Sequence, residues 1–249
     1  MQVIAEYTPE FMALNVQTRW AAFAVHLLIS LAVLAGLLSI IFFVWFPYDL
    51  IFAGGVDGLK IVMGVDLVLG PVLTLMVFVP GKKGLKSDLT MIGLVQVVCL
   101  VAGMWVVHNE RPMVQVLADD GVHILAASDF KYYQVEAGDL PGPYPKHALL
   151  NLPEDKSVWG TLKLTNEIVE LKPLVFRGDL YLPAQEVEQS RYQARLDHIQ
   201  GVMSDADLQR LAALNTEDCS WLPVHSKHVG GFACITQQSG VIQLSDREF

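Results

Sequence analysis

Hydrophobic and polar positions follow two regimes along the chain. Residues 21–46 contain no Asp, Glu, Lys or Arg, residues 59–79 contain only Lys60 and Asp66, and residues 89–107 contain none. Each run approaches the roughly 20 residues with which a helix crosses about 30 Å of hydrocarbon. Trp20, Trp45 and Trp105 stand at or near run ends, the interfacial positions that indole rings favour. The first run exceeds the apolar core of a signal peptide, and no small-residue cleavage pattern follows Trp45-Phe46-Pro47. The pattern predicts transmembrane helices over about 21–46, 59–79 and 89–107.

After Arg111-Pro112 the runs shorten and begin to alternate. Met113–Leu117 and Val122–Ala126 read as strands joined by Ala118-Asp119-Asp120-Gly121, a hairpin signal. A helix starts near Ser128, and Leu140–Pro145 and Leu152–Asp155 read as loops. Pro183–His198 has a helical pattern, with Glu186 and Glu188 early and Arg195 and His198 late. Ser204–Leu214 opens with a cap and early acids, as a second, shorter helix. Trp221–His225, Phe232–Thr236 and Val241–Leu244 form a terminal meander. The fold class is therefore a membrane protein: a three-helix transmembrane bundle over 1–112, then a small α+β domain over 113–249.

Composition supports this division. Hydrophobic residues make up 53% and charged residues 17% of the 249, with a mean hydropathy of +0.40, above the apolar share of a soluble domain. Residues 1–112 carry six basic against seven acidic residues; residues 113–249 carry eleven against nineteen, most of the net charge of −9. Such an acidic tail excludes a nucleic-acid partner, which requires a basic footprint. Lys82, Lys83 and Lys86 lie between the second and third runs, whereas the first loop holds only Asp49 and Asp57. Positive-inside bias then keeps the N-terminus and the lysine loop in the cytoplasm, and three crossings put the C-terminal domain in the periplasm of a bacterial inner membrane. Cys99 falls inside the third run, so Cys219 and Cys234 are the pair available for a disulfide in that oxidising compartment.

Polar residues within the apolar runs are the candidate functional positions. Asp66, Gly70 and Thr74 share a face of the second helix, with Pro71 beside them; Pro71 cannot donate to the carbonyl of Leu67 and predicts a kink. Phe23, His26 and Ser30 form a stripe on the first helix below Arg19, and Gly93, Gln96 and Gly103 one on the third. Such faces either close a bundle on itself or receive a partner helix; an ion pathway is the third reading for an intramembrane acid. The chain holds no CxxC, GxSxG, GxxxxGK(S/T), GxGxxG or HExxH signature. His225 and His228 lie near Cys219 and Cys234 but fit no zinc spacing. The expectation is no enzyme, no cofactor and no metal.

The membrane residues also resemble a known family. Arg19-Trp20, Phe23, His26-Leu27, Ser30 and Trp45-Phe46-Pro47 lead to Val65-Asp66-Leu67-Val68-Leu69-Gly70-Pro71-Val72-Leu73-Thr74, followed by Lys82-Lys83, Leu85, Asp88-Leu89, Gln96, Gly103 and Arg111-Pro112. Together they resemble the type IV pilin accessory proteins (TfpX/TfpZ type) of Gram-negative bacteria, over about residues 19–125. Trp-Phe-Pro replaces the family's more frequent Trp-Tyr-Pro, and Ala102-Gly103 its Tyr-Gly. The resemblance implies an inner-membrane helper that binds the major type IV pilin and modulates its stability or assembly. On that basis Arg19, His26, Ser30, Asp66, Gly70, Pro71, Thr74 and Gln96 are the candidate contacts for the pilin helix, within the lipid bilayer. A regulator of the pilus motor platform and a pilin-modifying enzyme are the alternatives.

Overall fold

The computed structural model describes residues 18–153, 155–214 and 220–248. Three helices are long and apolar enough to cross a membrane: α1 (Arg19–Trp45), α2 (Gly55–Val77) and α3 (Leu85–Asn109). Thr18 starts α1 by accepting the Ala21 N–H at 3.1 Å on its hydroxyl. Leu28, Ile29, Val68, Met76, Val98 and Val101 are exposed along these helices, as expected of surfaces that face an apolar solvent. The kink expected at Pro71 takes a particular form. The missing N–H is accommodated one turn earlier, where Gly64–Leu69 widens into a π-turn and the Gly70 N–H bonds the Val65 carbonyl.

The helices are followed by strands β1 (Pro112–Leu117) and β2 (Val122–Ala126), helix α4 (Ala127–Tyr133), strand β3 (Lys146–Leu150) and helix α5 (Lys156–Leu164). Strand β4 (Tyr181–Pro183), helices α6 (Gln189–Val202) and α7 (Asp205–Ala212), and strands β5 (Ser220–His225), β6 (Gly230–Thr236) and β7 (Gly240–Glu248) complete the chain. They form one sheet in the order β4-β3-β1-β2-β5-β6-β7. The predicted hairpin β1–β2 and the meander β5–β6–β7 are antiparallel, but two nonlocal parallel pairings, β1 with β3 and β2 with β5, join the pieces.

The helix expected from Pro183 begins only at Gln189. Tyr181–Pro183 pairs with β3 instead, and an edge strand tolerates the proline because no outer neighbour needs its N–H. Ser204 caps α7 as expected, accepting the Asp207 N–H at 3.1 Å. The expected Cys219–Cys234 bridge involves Cys219, outside the described residues; Cys234 is buried in β6.

Side chains alternate across the sheet. Val114, Val116, Ala148 and Leu150 enter a core with Phe130, Phe176 and Tyr181. Leu149, Ile124, Leu222 and Val241 face the other way, onto Tyr192, Leu196 and Ile199 of α6. Gln115 of β1 accepts the Val241 N–H of β7 at 2.8 Å across three intervening strands, so the sheet is rolled rather than flat.

By compactness the chain forms two units. Among the described residues, one unit comprises residues 18–34 with Met63–Leu100; the other comprises Ala35–Val62 with the residues from Val101 onward. In the second unit the sheet core is continuous with Ile41, Phe46, Leu50, Ile51 and Val107. The turn Tyr48–Ala53 lies on β7: Asp49 accepts the Leu244 N–H at 3.2 Å, and the Arg247 guanidinium stacks 3.8 Å from the Phe52 ring centre.

Within the same unit Glu110, whose side chain is 16% exposed, binds Lys227 Nζ at 3.1 Å and His228 Nε2 at 2.9 Å. Burial alone would raise its carboxyl, but the bonds from His228 and Lys227 win and hold it below its ordinary value of 4.5. A lowered carboxyl stabilises the fold fully above that ordinary value, and the contribution disappears as pH falls through the folded value. Denaturation across about pH 7 to 3 should therefore show wild type more stable than Glu110→Gln at neutrality, with the gap closing below about pH 4.5. A gap independent of pH would assign the glutamate a packing role only.

Candidate functional site

The first unit carries the candidate site. His26 of α1, Thr74 of α2 and Gln96 of α3 meet: His26 Nδ1 lies 2.6 Å from Thr74 Oγ1, and Nε2 lies 2.8 Å from Gln96 Oε1. A single neutral tautomer satisfies both contacts. The Nε2–H donates to the glutamine oxygen, and the Thr74 hydroxyl donates to Nδ1. Three helices are thus tied by one imidazole, in surroundings where unpaired polar groups are costly. Gly70 makes room for this. A Cβ there would stand 1.9 Å from Gln96 Nε2, so only glycine lets the amide lie against α2 and reach His26.

Beside the triad is an open cavity of about 520 Å³, walled by apolar side chains such as Val25, Phe78 and Leu100. Ser30 and Asp66, each 7% exposed, also line it. Neither side chain hydrogen-bonds a group among the described residues. The π-turn brings Asp66 there, since an extra residue in the turn rotates the side chains that follow. The groove therefore combines an apolar wall, a closed hydrogen-bond triad and two polar groups with bonding capacity to spare.

Five of the candidates read from the sequence, His26, Ser30, Asp66, Thr74 and Gln96, converge on this groove. Gly70 sits behind Gln96 and lines a separate cleft, Pro71 is buried in α2, and Arg19 is exposed at the start of α1, where it makes no hydrogen bond or ion pair among the described residues. Lys82, in the basic loop, is paired with Asp88 at 2.7 Å. Helical spacing placed Gly93 on the stripe of α3 without a role; it lines the groove, and a Cβ there would meet no atom within 4 Å. Its position three residues before Gln96 was the available signal.

The chain is similar to known proteins of Dichelobacter nodosus. One is the fimbrial assembly protein of serogroups C1 and C2, 36% identical over 110 residues that span 42% of this chain and 82% of that protein. The chain belongs to the fimbrial assembly protein family. The family's serogroup I and serogroup E1 proteins are each 34% identical over 110 residues, and there the match spans 42% of the relative's own length. No protein-family model matches the chain, and no solved structure matches it.

Proposed function

We propose that this family member is an inner-membrane accessory protein of the type IV pilus, holding the major pilin before or during its assembly. The observation that carries this reading is the groove of the first unit, in which Ser30 and Asp66 are buried without hydrogen-bond partners among the described residues. A carboxyl at membrane depth calls for a bonding partner. The pilin waits in the bilayer as a long apolar helix, so it can fill the apolar wall and supply that partner from its own hydroxyl or amide groups. The relatives' description as fimbrial assembly proteins supports the same assignment. Arg19, without an ion pair among the described residues, is the cation best placed for the pilin's acidic residue near the cytoplasmic side. The C-terminal domain, in this reading, lies in the periplasm and meets the pilin head. Packing of the Tyr48–Ala53 turn against β7 supports placing the first loop and that domain on one side of the membrane. A C-terminal alkaline phosphatase fusion inactive in the native host would reverse that orientation.

Purification in mild detergent from the native host tests the pilin assignment. Wild-type protein should retain pilin in near-stoichiometric amount by mass spectrometry. Asp66→Leu removes the bonding groups at similar volume and should lower the retained pilin about fivefold, the worth of one membrane hydrogen bond of about 1 kcal/mol. Pilin retained undiminished would move the contact to the C-terminal domain. Motor-platform protein in place of pilin would overturn the proposal.

A further inference from the structure

A second cluster lies in the rolled sheet, far along the sequence from the groove residues. Strands β2 and β5 run parallel with His123 directly opposite His225, so both imidazoles leave the same face of the sheet. Their ring centres are 4.8 Å apart and tilted by 33°. The β1–β2 turn closes over them through the Ala118 N–H to Gly121 carbonyl bond of 2.9 Å. That turn presents Asp120, whose carboxylate is 2.8 Å from His123 Nε2 and 4.0 Å from His225 Nε2. Gly121 is required for this approach. It has φ +152°, and a Cβ would stand 2.4 Å from the Pro223 carbonyl oxygen of β5. The turn is thus held against β5 at the distance that brings the carboxylate between the two rings.

We infer that Asp120, His123 and His225 form a binding site for a divalent cation of the zinc type. One ligand atom from each residue lies within 4.8 Å of the other two. Tetrahedral zinc with bonds of about 2.0–2.1 Å needs its ligand atoms about 3.3 Å apart. Side-chain rotation supplies the difference, because Asp120 and His225 are 51% and 45% exposed and free to turn inward, while His123, 17% exposed, is fixed. A structural ion pair would need only one of the two imidazoles. Two neutral imidazoles and one carboxylate select zinc, nickel or copper over calcium and magnesium, which prefer all-oxygen shells. Water completes the shell on the exposed side. The ion would clamp the β1–β2 hairpin to β5, the one strand pairing that joins the two halves of the sheet among the described strands. His228, the other histidine of the β5–β6 connection, is held by Glu110 instead.

Titration of untagged full-length protein in detergent with Zn²⁺ tests this, by calorimetry and by Co²⁺ absorption spectra. One ion per chain should bind and raise the thermal midpoint. His123→Gln and His225→Gln should each weaken binding at least about tenfold, the least expected where even an outer-shell partner costs that much. His198→Gln, at an exposed position of α6, should leave affinity unchanged. Should His123→Gln fail to fold, His225→Gln decides alone, since that side chain is half exposed. No zinc binding, binding indifferent to His225, or displacement of zinc by equimolar Ca²⁺ would each overturn the assignment.

Discussion

Gly58→Val should lower the thermal midpoint by roughly 4–8 °C, and adding Val107→Gly should restore much of it. The reason is a reciprocal pair of contacts between α2 and α3 in the second unit. A Cβ at Gly58 would stand 2.5 Å from Val107 Cγ2, and one at Gly103 would stand 2.4 Å from Val62 Cγ2. Each helix thus offers a glycine and, four residues later, a valine, and in antiparallel register each valine fills the hollow left by the other helix's glycine. Val62 and Val107 are 2% and 0% exposed. Overpacking such a site costs about 1–3 kcal/mol. Val107→Gly alone should be comparably damaging, through lost contact and added helix entropy. The double exchange moves the knob to the other helix and keeps total volume, so the coupling should be favourable by about 1–2 kcal/mol. Thermal unfolding of the two single variants and the double variant in one detergent measures it. A double variant no more stable than the worse single one would show that close approach of the helices is not set by these four residues.

The same residues show how far sequence could lead. Three helices long and apolar enough to cross a membrane were legible because apolar runs of that length with so few charges read as helices of that kind. The stripes containing His26, Thr74 and Gln96 were legible from helical spacing. Their mutual bonding was not, since spacing within a helix carries no information about which face meets which neighbour. The π-turn at Gly64–Leu69 was invisible for a related reason: Pro71 announces that something must yield, but not on which side. In the sheet, local hairpins were read correctly. The parallel pairings escaped because each joins strands separated by long stretches of chain. Strand β4 escaped because its pairing with β3 takes up Pro183, the residue at which the helical pattern begins. The histidines give the sharpest case. Proximity in sequence suggested His225 with His228, whereas strand register pairs His225 with His123, about a hundred residues earlier.

Filling the groove should separate function from folding more cleanly than any loss of a polar group. Gly93 lines the cavity, and a side chain added there enters open space. Gly93→Phe should therefore leave the thermal midpoint within about 2 °C of wild type, because no packed contact is displaced and helix propensity rises. The ring would occupy the volume into which a partner helix must lay its side chains. Loss of several buried contacts at once outweighs one hydrogen bond, so retained pilin and surface pili should fall more than about tenfold, beyond the effect expected of Asp66→Leu. Gly70→Ala makes the informative contrast. Its methyl group would displace Gln96 and break the bond to His26, so stability and pilin retention should fall together. Electron microscopy of pili, with pilin recovery and unfolding of the purified variants, distinguishes the two cases. If Gly93→Phe assembled pili normally while remaining folded, the groove would not be where a pilin helix docks, and Asp66 would need another explanation for its place in so apolar a helix.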